Sequence, residues 1–261
     1  MTWRWILPVF AWLAALPARA APVQLVYSVT QLGLEVMEIR TEFEFTPLGY
    51  RMQAVSEARG LGRLFLPRRQ VTAVEGGWQG NDALPAAYHS EAMMENGPRR
   101  VVMRYRGREP LLLAVEPNDE AERLPVPPEQ RLGTVDVLSA LAKLVRVVGA
   151  TGRCEAQSSV FDGRRRMEWS SRTLGQQNVR QAALGWNGPG LVCGLESRML
   201  AGYLRRSDPA QVSQPRRGEA VMVPLRPGLP PLPVHVELPG AFGGLRVDLV
   251  RFGVSGQQAA Q

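Results

Sequence analysis

Lysine is almost missing from this chain: Lys143 is the only one, although lysine and arginine together number 31. Histidine and cysteine are as scarce, with two of each. Beyond Leu16 no apolar run approaches the roughly 18–20 residues that a membrane-spanning helix needs. Each shortage excludes a class of function. Neither cysteine has a second thiol or a histidine at ligand spacing, so no zinc site is expected. Only His89 and His235 could serve as imidazole bases, and no P-loop, dinucleotide fingerprint, H-E-x-x-H or G-x-S-x-G accompanies them. Ser139 lies near Asp136 but is accounted for by helix capping. Glu35 and Glu38 occupy odd and even strand positions, which point to opposite faces. No catalytic residue, cofactor or metal is expected, and the chain reads as a non-enzyme. The arginines are scattered on alternating positions, not clustered among stacking aromatics, which argues against a nucleic-acid partner. A mildly basic surface still favours anionic lipid headgroups.

What is present begins with an address. Arg4 supplies a positive start, Ile6 to Leu16 an apolar run of about eleven residues, and Ala18-Arg19-Ala20 a small-residue cleavage site. Residues 1–20 therefore read as a signal peptide cut before Ala21, which sends a chain of about 240 residues to the periplasm with no transmembrane segment. Losing Arg4 and Arg19 lowers the formal net charge from +7 to +5. In an oxidising compartment Cys154 and Cys193 are expected to pair. The bond would close a loop of about 40 residues, worth roughly 4 kcal/mol in the chain-entropy account. Two buried thiols are the alternative.

From Val23 to Arg106 the chain alternates. Val23, Leu25, Tyr27 and Val29 take one face and Gln24, Val26, Ser28 and Thr30 the other, a period of two. Similar runs recur at Leu34–Phe45, Tyr50–Ala58, Val71–Trp78, Ala86–Met94 and Arg99–Arg106, with Leu111–Val115 as one more. Gly33, Pro47-Leu48-Gly49, Gly76-Gly77, Asn81-Asp82 and Asn96-Gly97-Pro98 supply bends and turns. Residues 116–131, rich in proline and acid, form a candidate seam. A single helix is expected over about 135–148, capped by Thr134 or Asp136. Its apolar stripe is Leu138, Leu141, Val145 and Val148, and Gly149 ends it. The fold class is mainly β: a large curved antiparallel sheet or open β-barrel with one packed α-helix. Residues 21–255 read as a single β domain, and 256–261 as a disordered tail.

After Cys154, Gln157–Phe161 and Arg164–Trp169 are expected to pair across Asp162-Gly163, a strong two-residue hairpin signal. Arg164, Arg166 and Glu168 would share a face, with Arg165, Met167 and Trp169 opposite. Val179–Trp186 and Leu191–Leu200 follow, separated by Asn187-Gly188-Pro189-Gly190. Val221–Leu225, Val234–Leu238 and Leu245–Phe252 complete the strands, with Arg226–Pro233 as an extended connector. Gly60-Leu61-Gly62-Arg63-Leu64-Phe65-Leu66-Pro67 reads either as a crossover buried against the core or as a flap over a hydrophobic mouth.

These pieces, in their order, resemble the exported bacterial family called domain of unknown function 3108. The resemblance rests on Leu25-Val26-Tyr27, Leu84-Pro85-Ala86-Ala87-Tyr88, Asp136-Val137-Leu138-Ser139-Ala140-Leu141 and Val160-Phe161-Asp162-Gly163-Arg164-Arg165-Arg166. Ala201-Gly202-Tyr203 and Pro233-Val234-His235-Val236-Glu237-Leu238 complete it. It implies an envelope protein with a curved sheet or open barrel, and it brings no catalytic residues.

The expected function is non-catalytic binding of an apolar or amphipathic, lipid-like envelope molecule in a groove of the sheet. Candidate lining residues are Leu61, Leu64, Phe65, Leu66, Trp78, Met93, Met103, Met167 and Trp169, the methionines suiting variable acyl chains. Arg164 and Arg166 could meet a phosphate or carboxylate headgroup; the alternative is a solvated face paired with Glu168. The alternative is an envelope assembly or structural factor that docks a protein partner by a sheet edge or by the helix. A hydrolase finds no anchor in the residues.

Overall fold

The computed structural model describes residues 22–240 and 243–254; the expected signal peptide and tail lie outside the described residues. The first half is an antiparallel meander of β1 (Val23–Gln31), β2 (Leu34–Phe45), β3 (Gly49–Ala58), β4 (Arg69–Gln79), β5 (Asp82–Met94), β6 (Gly97–Arg106) and β7 (Glu109–Glu116). Helix α1 (Val137–Thr151) follows. The second half adds β8 (Ala156–Phe161), β9 (Arg166–Gln181), β10 (Trp186–Ala201), β11 (Arg216–Val223), β12 (Leu232–Leu238) and β13 (Leu245–Val254). Pairing of β1 with β13 fuses the halves into one thirteen-stranded sheet that is not closed, its edges being β7 and β8.

Alternation dictates which side is filled. Val23, Phe43, Met52, Val74, Tyr88 and Met103 are register partners across β1 to β6, and all are buried. One residue along, Gln24, Glu42, Gln53, Ala73, His89 and Val102 form the outward row. The buried set continues through Leu249, Val234, Ala220 and Cys193 in the second half.

Two devices cover the gap between the sheet's edges. Val135 lies beside β8, donating its N–H to the Ser159 carbonyl (2.9 Å) and accepting from Phe161 N–H (2.8 Å). The β8–β9 turn crosses to β7, where Arg164 donates to the carbonyls of Glu116 (2.9 Å) and Pro117 (3.1 Å) and pairs with Asp119 (2.7 Å). Gly163, at φ +92°, lies so close to β6 that a Cβ there would sit 2.3 Å from Val101 Cγ1. These contacts occupy the Ser159 and Phe161 backbone groups on the β8 edge and the Glu116 carbonyl at the end of β7.

Helix α1 closes one end of the barrel-like wall. Arg146 donates to the Gly80 carbonyl (3.0 Å) at the β4–β5 turn, and Lys143 pairs with Asp82 (2.7 Å). Gly149 rests on Pro230 of the β11–β12 connection. Just beyond the helix, Cys154 is bonded to Cys193 of β10, with a Cα–Cα distance of 5.6 Å.

Several local expectations are corrected. The helix runs past Gly149 to Thr151 and ends at Gly152, φ +67°. Gly149 is small because a Cβ would meet Pro230 Cβ at 3.0 Å, a packing demand and not a cap. Leu141 is 40% exposed, while Ala142 completes the buried stripe with Leu138, Val145 and Val148. The β8–β9 connection has four residues, because the Asp162 carboxylate accepts the N–H groups of Arg164 (3.0 Å) and Arg165 (2.7 Å) and holds both in the turn. Asn187–Gly190 is not a turn but part of β10, paired with Gln177–Arg180 of one long β9. The reversal comes earlier, at Ala182–Gly185. Gly190 is needed there for closeness, since a Cβ would lie 2.6 Å from Val179 and 2.8 Å from Val221.

Candidate functional site: a groove at the β3–β4 loop

The β3–β4 connection is a single 3-10 turn, Gly60–Leu64, laid against the start of β2. Arg59 N–H donates to the Val36 carbonyl (2.9 Å). Gly62 permits the contact, because a Cβ would stand 2.0 Å from that same oxygen. With its glycine side pressed on β2, the turn can only aim its larger side chains outward. Leu64 and Phe65 are 75% and 56% exposed. They line a groove of about 1120 Å³ whose other walls include Leu66, Arg59, Arg63, Arg68 and Met94. Arg59 is committed to Glu57 (3.0 Å) and Glu38 (3.4 Å). Arg63 and Arg68 are exposed and have no ion-pair partner among the described residues, whereas Glu57 and Glu95 are the acids of the same groove. Apolar surface beside uncommitted guanidinium groups suits a molecule with a hydrocarbon part and an anionic head.

The residues expected to line a site are divided by the fold. Leu61, Leu64, Phe65 and Leu66 share the loop, and Met93 joins them at the end of β5, its carbonyl accepting Arg68 N–H (2.8 Å). Trp78 sits at the far end of β4, about 30 Å away at strand spacing. There it donates to the Thr46 carbonyl (3.1 Å) and lies under Arg146, 4.4 Å from the ring centre. Met103 is fully buried in the core. Met167 and Trp169 belong to β9. Arg164 is held by Asp119 and the β7 carbonyls, and Arg166 by Glu168 (2.9 Å), which also accepts from Ser159 (2.7 Å). The two arginines expected to meet a headgroup are therefore engaged within the protein, and the uncommitted ones belong to the loop.

A second arrangement joins distant parts of the chain. Tyr50 Oη lies 2.6 Å from Ser139 Oγ, which lies 2.6 Å from Asp136 Oδ2, and Ser139 N–H donates to Asp136 Oδ1 (2.9 Å). Burial pushes the Asp136 carboxyl up to about 6, against the lowering effect of its bonds to Ser139. Burial likewise raises the Tyr50, Tyr88 and Tyr105 hydroxyls. The chain of hydroxyls ties β3 to the helix start; a sequence separation of 89 residues between Tyr50 and Ser139 hides it from pattern reading.

The histidines are both on ion-pairing surfaces. His235 contacts Asp248 (2.6 Å) and Glu237 (3.2 Å), and His89 contacts Glu91 (3.1 Å). Neither imidazole has a hydroxyl or thiol partner among the described residues. No group of three or more metal-ligating side chains occurs among the described residues, and no helix there is long and apolar enough to cross a membrane.

The architecture is that of an open, barrel-like antiparallel wall with a helix across one end and an apolar, basic loop at the other. The chain belongs to the family described as Protein of unknown function (DUF3108), whose model matches residues 24–193, from β1 through the second cysteine. No curated protein matches it. Among solved structures it is similar to the β-barrel-like protein of domain of unknown function DUF1849 from Brucella abortus, at 12% identity and a TM-score of 0.43. That likeness covers 92% of this chain and 100% of the other.

Proposed function

We propose that this is an exported, non-catalytic protein of the bacterial periplasm that binds an amphipathic, lipid-like molecule in the groove at the β3–β4 loop. The observation that carries the reading is the exposure of Leu64 and Phe65 beside Arg63 and Arg68. Leaving such a side chain in water costs about 1.5–3 kcal/mol relative to burying it. An acyl chain laid over the loop would remove that cost, while the two guanidinium groups offer paired donors to a phosphate or carboxylate. Export is supported by Arg4, the Ile6–Leu16 run and Ala18-Arg19-Ala20; the mature chain should begin at Ala21 on N-terminal sequencing.

Native mass spectrometry of protein released gently from cells tests the binding. The parent should carry a fatty-acid or phospholipid mass, and Phe65→Asp should lose it. A parent without any such adduct, even after incubation with palmitate and phosphatidylglycerol, would overturn the reading. A second reading, docking of an envelope protein by strand addition, draws on the edge strand β7, where Leu113 is exposed. Loss of a captured partner on Leu113→Pro, with lipid content unchanged, would favour it.

A further inference from the structure

The exposed leucines do not stop at the groove. The next connection round the same end of the wall, the β1–β2 turn, carries Leu32 at 76% exposure and Leu34 beside it. Leu238, the last residue of β12, stands where the β12–β13 connection begins. These three connections are contiguous. The 3-10 turn leans on Glu35 and Val36 of β2, and Leu32 lies against the β12–β13 connection, 3.0 Å from where a Cβ of Gly243 would be. Other exposed leucines, such as Leu48 before β3 and Leu174 in β9, lie on other elements.

Leu32 is out of place twice over. It occupies φ +52°, followed by Gly33 at +79°. A two-residue hairpin turn with both angles positive favours Asn-Gly, because leucine pays a steric penalty in the left-handed region. The turn therefore holds a large apolar residue where both conformation and solvent exposure oppose it. Arg63 and Arg68 flank the row toward β5 with no ionic partner among the described residues, whereas on the other side Arg217 is paired with Glu196 (2.8 Å) and Arg246 with Glu237 (3.2 Å).

We infer that this end of the wall seats on the surface of an anionic phospholipid bilayer, with Leu32, Leu61, Leu64 and Phe65 entering the headgroup boundary and Arg63 and Arg68 meeting lipid phosphates. The inference extends the groove reading, since the groove then opens at headgroup level, but it rests separately on the β1–β2 turn. Charge complementarity favours a bilayer, because Arg63 and Arg68 have no ionic partner among the described residues and stand beside the exposed Leu64 and Phe65; self-association is left as an outcome of the test. An amphipathic surface flanked by basic residues binds such interfaces through apolar burial and attraction to anionic lipid together.

The test is co-sedimentation of the purified exported protein with vesicles of phosphatidylglycerol and phosphatidylethanolamine, and with neutral phosphatidylcholine vesicles, at low and high salt. The parent should sediment with the anionic vesicles and be released by salt. Leu32→Asn fits its backbone better than leucine, so this variant should melt no lower than the parent yet partition less, by about fivefold or more. Leu32→Asn with Leu34→Asp, both outside the groove, should abolish sedimentation while any lipid found by native mass spectrometry stays bound in the groove. Equal binding to neutral and anionic vesicles, binding to neither, or an unchanged Leu32→Asn would overturn the inference. So would a dimer in sedimentation velocity that the double variant dissociates, which would assign the surface to self-association. Lipid retained without vesicle binding would sink the seating alone; vesicle binding without retained lipid would sink the groove alone.

Discussion

The two ends of this wall are finished in opposite ways. Under α1, apolar and most polar groups find partners: the Phe45 ring meets Tyr50 and Trp78 edge-on, Arg146 covers the Trp78 ring, and Tyr50, Ser139 and Asp136 bond in series, with the buried Tyr105 hydroxyl the exception. At the other end Leu32, Leu64 and Phe65 face water, and Arg63 and Arg68 have no ionic partner among the described residues. Burial and hydrogen bonding at the first end contribute to folding. At the second, the same kinds of residue contribute little to it, which leaves them available to something outside the chain.

Substitutions should sharpen that contrast, the largest effect coming from the clasp behind the helix. Cys193→Ser removes the bond to Cys154 and should cost up to about 4 kcal/mol, lowering the thermal midpoint by about 10 °C under oxidising conditions. Equal melting of variant and parent would remove the clasp from the account.

Asp136 makes the helix end sensitive to pH. Its folded pKa of about 6 lies above the ordinary carboxyl value, so the folded state holds the proton more tightly than the unfolded chain. The resulting stabilisation is fully present below about pH 4 and is lost as pH rises through about 6, a difference on the order of 2–3 kcal/mol. Asp136→Asn keeps an N-cap and should flatten this part of the stability profile, measured by urea unfolding between pH 4 and 7. A slope unaltered by the substitution would show that other carboxyls cause it.

Tyr50→Phe is a smaller change, removing one buried hydrogen bond for about 1–2 kcal/mol, read as a shift of the urea midpoint. Smallest of all should be Leu64→Asp with Phe65→Asp, within about 0.5 kcal/mol of the parent because both side chains are already in water. A large loss there would mean that the loop supports the fold, and the contrast between the ends would fail.

Much of the wall was legible because burial follows the period of two: Val23, Leu25, Tyr27 and Val29 are all buried, as their spacing requires. The helix start was legible too, since Asp136 is its cap. Glycine misled, because its use depends on neighbours far along the chain. Gly149 answers to Pro230 and Gly190 to Val221, and neither relation leaves a local mark. The apolar loop was visible as Leu61 to Leu66, but which way it faced depended on Gly62 meeting Val36 across a separate strand. Glu168 is legible as a partner of Arg166 from their spacing in one strand, whereas Asp119 reaches Arg164 only through the fold. Tyr50 offered no signal at all, since nothing in its own strand announces a serine 89 residues away.

The joint between the halves carries a consequence for assembly. Because β1 takes β13 as its neighbour, the earliest strand of the chain completes its second row of hydrogen bonds only when the last has arrived. Either half could begin its own meander, but the seam at the centre waits for the whole polypeptide. Pairings so distant along the chain make for slow folding. A chain cut short before Leu245 would leave two unfinished sheets, each with a bare central edge ready to pair with the wrong neighbour.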